Sequence, residues 1–318
     1  MSKLVKRPDG RGARAGKRAA RVVDGIINAA LLCLFVLLLL YGGFVFTQSN
    51  KVYAAADAAS YAMYRPDDGE GELSFEALRQ INPDVFAWLT VYGTGIDYPI
   101  AQTDNNVTYL NTDITGEYSV SGSLFLDCGS KPDFSGFNSI VYGHYMEQDA
   151  MFGSFGNYMA AGYLDSHPYG NLYFDGKDHG VEFFAFLEAD AYDSSVYIPA
   201  VMPGHEESYV ENLYEKSMYS REVAVSAQDR IVVLSTCTPN STNGRYLLAG
   251  KITEATYQNP YAAQGDAPVG TDRAAAVAPQ GTAFDQSLLW RIVIPCILAL
   301  LVTLYLLVTR RSKKGRRS

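Results

Sequence analysis

"RIVVLSTCTPNSTNGRYLLAGKI", Arg230 to Ile252, holds two apolar runs rich in Val, Ile and Leu, separated by a loop of Thr, Pro, Asn, Ser and Gly. Such a pattern reads as two β-strands joined by a polar turn. Where the first run ends stands Cys237, with Ser235 and Thr236 before it, and Arg245 opens the second run eight positions later. A cysteine buried in a core is inert, whereas one at a strand end beside a cation is a candidate thiolate nucleophile. If the two strands run side by side, a loop of this length returns the Arg245 guanidinium toward the thiol. The bland alternative for Arg245 is a surface arginine at a strand start.

Working outward, further short apolar runs are bounded by Gly, Asp, Asn and Pro. They are "VFAWLTVYGTGIDYPIAQ" from Val85, two strands joined by a glycine turn, then "GSLFLD", "NSIVYGH", "NLYF" and "VEFFAFLEA". Many short strands in one domain predict a closed or nearly closed β-barrel. Two helices punctuate it. Ser74 caps a short one that Asn82–Pro83 stops at Ile81. "HEESYVENLYEKSMYS", from His205, places Tyr209, Val210, Leu213 and Tyr214 on one helical face, so a helix is inserted ahead of the cysteine strand. The domain is expected over residues 73–258, with no internal repeat.

The chain's 318 residues carry a net charge of −8, unevenly spread. Residues 1–25 hold eight Lys/Arg against two acids and residues 309–318 hold six with no acid; each tail is +6 and the part between them −20. Beside each tail lies an apolar run, at 26–46 and 287–308, long enough at helical rise to cross a hydrocarbon core. Arg291 sits near the start of the second run, where it can snorkel. Both runs are expected to be transmembrane helices. The first exceeds the 7–15 residues of a signal-peptide core, which favours an uncleaved anchor over a cleaved leader. By the positive-inside rule both termini face the cytoplasm and the domain lies outside. Residues 47–72 then form a stalk and 259–286 a linker. The basic tails serve as topology signals facing anionic lipid, which leaves no role for nucleic acid.

Cys33 and Cys296 fall in the spans and read as small apolar residues. Cys128 and Cys237 lie outside; a disulfide between them is the alternative that would abolish a nucleophile. Four histidines, His144, His167, His179 and His205, show no metal-ligand spacing, so no metal and no cofactor is expected. His167, His179 and His205 read as solvated loop residues. His144 ends the apolar run of "NSIVYGH" as Cys237 ends its own, and so is a candidate to supply a charge to the thiolate or a proton to a leaving amine.

Together "LSTC" with its arginine, the strand-end "YGH", the phrase "INPDVFAWLTVYGTGIDYPI" and "LFLDCGSKPDFSGFNSIVYGHYMEQDAMFG" resemble the sortases, membrane-anchored cysteine transpeptidases of Gram-positive bacteria, most closely class B. The resemblance spans nearly the whole outer domain. It implies an eight-stranded β-barrel with a helix inserted before the cysteine strand. It implies Cys237 as nucleophile, His144 as general acid/base and Arg245 as the residue that holds substrate and stabilises the oxyanion, with Ser235 and Thr236 as substrate-binding neighbours. The expected partners are a sorting-signal peptide of a secreted protein and an amine acceptor, on a peptidoglycan precursor or a pilin lysine. A second, C-terminal span is more usual among pilus-building sortases than in class B, so the acceptor stays open between wall anchoring and pilin polymerisation. An inactive, doubly anchored binding module is the reading from outside enzymology.

Overall fold

The computed structural model describes residues 10–66, 74–239 and 241–262. The expected second span at 287–308, its basic tail and nearly all of the 259–286 linker lie outside the described residues.

Helix α1, Gly10–Ala56, contains the first apolar run; its stretch Ala20–Ala56 is long and apolar enough to cross a membrane, and the most apolar 18 residues of it are not buried against the rest of the chain. Leu38 and Leu39 within it are each 59% exposed. Beyond the apolar run the chain meets the barrel. The helix end and two 3₁₀ turns, Ala58–Ser60 and Ala62–Tyr64, dock on the barrel. Ala56 is fully buried, Tyr98 Oη donates to its carbonyl at 2.7 Å, and Tyr61 Oη donates to Ala55 at 2.6 Å. Arg65 pairs with Asp97, whose carboxylate also accepts from Trp88 Nε1 and Thr90 Oγ1, each at 2.8 Å. A small, alanine-rich segment lies close to the barrel surface because its side chains leave room for backbone contact.

Helix α2, Phe75–Ile81, is capped by Ser74, whose Oγ accepts from the Ala77 amide, and it ends at Asn82 as expected. The strands follow: β1 Val85–Val91, β2 Asp97–Ala101, β3 Leu124–Leu126, β4 Asn138–Tyr142, β5 Tyr169–Phe174, β6 Lys177–Asp190, β7 Ser217–Ser220, β8 Arg230–Cys237 and β9 Gly244–Thr253. The sheet order is β5-β1-β2-β3-β4-β8-β9-β6-β7, and β5 pairs again with β6. That last pairing closes eight strands into a barrel and leaves β7 outside the ring. The 14-residue β6 makes this possible: its first half pairs with β5 (Lys177 to Glu182) and its second half with β7 (Ala185 to Leu187). Short helix α3 spans Tyr163–Ser166.

Two apolar layers arise from strand alternation. Inside the barrel lie Leu89, Ile100, Phe183, Phe186, Val232, Leu234 and Leu248. On the outer face of β4, β8, β9 and β6, Ile140, Val233, Leu247 and Ala249 pack against Tyr209, Val210 and Leu213 of helix α4, Glu206–Lys216. The expected inserted helix is therefore present and buries the predicted face. It is shorter than its sequence pattern: Ser217–Ser220 leaves the helix and becomes β7, its residues alternating half-buried and exposed.

Candidate active site

Strand register builds the site. Cys237 is the last residue of β8, exposed, and its direct partner across the antiparallel β8–β9 ladder is Arg245. On the other side β4 runs parallel to β8 with Tyr142 opposite Ser235, and the Gly143 amide extends the ladder to the Ser235 carbonyl at 3.1 Å. His144 follows two residues past Tyr142, as Cys237 follows two past Ser235, and so has the same parity. His144, Cys237 and Arg245 thus end three neighbouring strands in one row, on the face shared with Ile140, Val233 and Leu247. That is the outer face, on which α4 packs farther back, against Ile140, Val233 and Leu247.

Each member has a holder. His144 Nε2 is 2.8 Å from the Leu110 carbonyl. A carbonyl only accepts, so Nε2 carries the proton in this contact and Nδ1 is the basic nitrogen. The His144 carbonyl in turn accepts from the Phe152 amide at 3.0 Å. Gly143 lets the strand end pass close to the core: a Cβ there would collide with Leu124 and lie 2.8 Å from Phe152. Arg245 Nη1 donates to Gly244 at 2.8 Å and Thr242 at 3.4 Å, and the rest of its donor fork has no partner among the described residues. Cys237 and Cys128 are both free thiols, so no disulfide ties up the candidate nucleophile.

Ser235 and Thr236 part company. Ser235 lies on the same face as Cys237, buried, its hydroxyl 2.9 Å from Tyr197 Oη. Thr236 points to the opposite, inner face, buried, its hydroxyl without a hydrogen-bond partner among the described residues. Beneath the row runs a polar chain that sequence reading missed. Tyr197 stacks on Tyr142 with centroids 6.4 Å apart, and Tyr142 Oη donates to Asp127 at 2.9 Å. Asp127 also accepts from Asn106 Nδ2 at 2.8 Å and the Gly129 amide at 2.7 Å. Burial, then the Asp127 charge, pushes the Tyr142 phenol far up, and burial raises that of Tyr197, so both stay neutral hydroxyls. The one available sequence signal was Asp127 itself, a carboxylate ending the apolar run "LFLD".

Two other histidines differ from their sequence reading. His179 is buried on β6, its ring stacked 3.8 Å from that of Phe174, and burial lowers its pKa. His167 is half-buried, stacked between Tyr163 and Tyr261 at 3.8 and 4.9 Å. A lone histidine between polar residues looks like loop, but an imidazole also packs as a flat aromatic. Two clefts, of about 300 Å³ beside Trp88 and Tyr257 and about 640 Å³ beside Phe75 and Arg79, lie along β1 and β5, across the barrel from Cys237. Neither bears on the thiol chemistry.

An exposed thiol with an imidazole and a guanidinium in one row suits acyl transfer through a covalent thioester: base, nucleophile and a cation for a developing oxyanion. Comparison with known proteins gives this class its family. Sortase B of Listeria monocytogenes is 34% identical over 189 residues, 58% of this chain and 76% of that protein. Among solved structures, a Streptococcus pyogenes class B sortase involved in pilus biogenesis is 37% identical with a TM-score of 0.52, covering 56% of this chain and 97% of that one. The Staphylococcus aureus sortase B–substrate complex is 26% identical with a TM-score of 0.53, covering 57% and 85%. No family model matches. The chain belongs to the sortase family, class B, and its barrel is the sortase barrel. The family makes it a cysteine transpeptidase.

Proposed function

We propose that this sortase cleaves a sorting signal near the C-terminus of a secreted protein, holds it as a thioester on Cys237 and passes it to a cell-wall amine. The row of His144, Cys237 and Arg245 on three adjacent strand ends carries this reading. The Cys237 thiolate attacks the scissile carbonyl carbon and a C–S bond forms. Arg245 faces the oxygen that turns anionic, and His144 as imidazolium protonates the departing amine as the C–N bond breaks. An incoming amine then gives a proton to His144, attacks the thioester and releases the thiolate. Ser235 and Tyr197 hold the groove floor beside the thiol. Thr236, facing inward, shapes the strand rather than the groove.

Helix α1 would anchor the enzyme in the cytoplasmic membrane of a Gram-positive bacterium with the barrel outside, and the apolar run at 287–308 would return the chain, putting both termini in the cytoplasm. A second reading of the acceptor, a pilin lysine, is favoured by the 37% identity to a class B sortase involved in pilus biogenesis. The test is mass spectrometry on the detergent-solubilised chain, incubated with peptides from the C-terminal regions of the source bacterium's secreted proteins. A hydroxylamine-labile adduct on Cys237, absent from Cys237→Ala, is expected. Failure of every peptide to load Cys237, or equal cleavage by Cys237→Ala, overturns the proposal.

A further inference from the structure

Between His144 and Phe152 the chain makes a loop that returns to its own start. The Phe152 amide donates to the His144 carbonyl at 3.0 Å and Tyr145 pairs with Met151, so the two limbs close on each other just after His144. Within the loop Gln148, Asp149 and Met151 take positive φ values of 60°, 57° and 51°, a region that residues other than glycine avoid. Backbone of this kind persists where its surroundings hold it. The holder of the return limb is Tyr98 on β2, whose Oη accepts from the Met151 amide at 3.0 Å. Both residues are buried. The same hydroxyl donates to the carbonyl of Ala56, the last residue of α1, at 2.7 Å. Burial raises the Tyr98 phenol well above its ordinary range, so it stays a neutral hydroxyl that accepts and donates at once.

Three links therefore join the end of α1 to the candidate acid/base: the Ala56 carbonyl to Tyr98, Tyr98 to Met151, and Met151, through its neighbour Phe152, to the His144 backbone. We propose that Tyr98 is a positioning residue for acyl transfer, tying the docked end of α1 to the loop after His144 and so steadying the imidazole for proton transfer. This rests on the thioester reading of Cys237. The Leu110 carbonyl, 2.8 Å from Nε2, sets the rotation of the ring, and the loop sets where its backbone stands. In acylation the thiolate forms the C–S bond, the C–N bond breaks, and the imidazolium proton goes to the departing nitrogen. A general acid works at hydrogen-bond reach, about 2.6–3.2 Å, so a loop displaced by a fraction of an ångström weakens that transfer first. Tyr61 supplies the contrast. Its Oη donates to the Ala55 carbonyl at 2.6 Å and its ring lies 6.1 Å from that of Tyr98, yet it makes no hydrogen bond to the His144 loop among the described residues. Tyr61 docks the helix end; Tyr98 docks it and also holds the loop.

The test uses the full-length chain in detergent micelles and two acyl donors. One is the sorting peptide that loads Cys237, whose amide nitrogen leaves with a proton; the other is the same acyl segment as a p-nitrophenyl ester, whose phenolate leaves without one. Tyr98→Phe removes the hydroxyl and keeps the ring. Single-turnover acylation by the peptide should fall in limiting rate rather than in half-saturation. The ratio of peptide to ester acylation should drop about 5- to 10-fold, part of the roughly 10²–10⁴-fold that a well-placed general acid supplies. Tyr61→Phe loses a hydrogen bond to the same helix end, so it should lower the Tm as well while leaving the ratio alone. Ala56→Leu crowds the buried helix end away from an intact Tyr98 and should lower the ratio as Tyr98→Phe does; it decides the matter if Tyr98→Phe does not fold. An unchanged ratio in folded Tyr98→Phe or Ala56→Leu, or an equal fall in Tyr61→Phe, overturns the positioning role. If no peptide loads Cys237 in the wild-type chain, the thioester reading fails and the role with it.

Discussion

Replacing Asn138 with alanine tests whether the groove is held by one buried amide. Asn138 opens β4 and is fully buried. Its Nδ2 donates to the Ile198 carbonyl at 2.8 Å and to Tyr209 Oη at 2.9 Å, while Tyr209 Oη donates onward to Val196 at 2.6 Å. One side chain therefore ties a barrel strand to α4 and to the segment that carries Tyr197, whose hydroxyl meets Ser235. Each lost hydrogen bond is worth about 1 kcal/mol net. The void left by the amide, roughly 30 Å³, adds about 0.7 kcal/mol at the usual cost per volume. Asn138 Oδ1 has no partner among the described residues, so its removal costs nothing further. The total is about 2–3 kcal/mol. A domain of this size loses roughly 2–4 °C in Tm per kcal/mol, so thermal unfolding should fall by about 5–10 °C. Single-turnover thioester formation should need more sorting peptide for half-saturation while its limiting rate changes less, because the groove wall loosens and the Cys237 row does not. A Tm within about 1 °C of wild type would refute the clamp. A lost limiting rate at unchanged half-saturation would place the tie in the chemistry instead.

Three further outcomes are expected. Arg245→Lys keeps the charge and loses the planar fork, so single-turnover acylation should fall by about 10²–10³-fold with the Tm near wild type; an unchanged rate makes Arg245 a bystander. Gly143→Ala forces a Cβ against Leu124 and Phe152, so stopped-flow acylation should slow and the melt should drop by several degrees; wild-type behaviour in both would show a strand end loose enough to absorb the methyl group. Burial holds the His179 pKa below its ordinary 6.5, so above that pH both folded and unfolded states are neutral and stability is full. As pH falls below 6.5 the unfolded chain takes its proton first, and stability declines until the folded pKa is passed. His179→Phe keeps the stack on Phe174 and should flatten the denaturant midpoint between pH 7.5 and 5.5. His167, lowered by burial as well, supplies the slope that remains, and an undiminished slope refutes the assignment.

How far the fold was legible in the sequence depends on how each feature is encoded. The eight ring strands are local patterns, apolar runs of strand length bounded by turn residues, and each can be read without its neighbours. The α4 face is equally local, with Tyr209, Val210 and Leu213 at helical spacing. β7 is not, because Ser217–Ser220 pairs along one side only and continues the polar rhythm of the helix before it. His179 was hidden because β6 begins in exposed residues, Lys177 and Asp178, that look like loop. Tyr197 and Asp127 could not be chosen from among many tyrosines and aspartates. Their meeting through Tyr142 joins segments some 70 positions apart and exists only after the barrel closes.

The site itself divides along the same line. Cys237 and Arg245 face each other across a hairpin, so their alignment is fixed by the few residues between Thr238 and Asn243 and shows as a spacing. His144 reaches the row only because β4 and β8 pair in parallel, and a parallel pair needs a long crossover. Here that crossover comprises α3, β5, β6, α4 and β7, with two of the eight ring strands among them. Side-chain direction alternates along a strand, so a one-residue slip of β8 against β4 would send Cys237 inward and Thr236 outward, exchanging a nucleophile for a hydroxyl. The register is held against that slip by buried pairs on both faces, Val141 with Leu234 inside and Ile140 with Val233 outside. Core packing a few residues back from the thiol is therefore part of what makes Cys237 available at the surface.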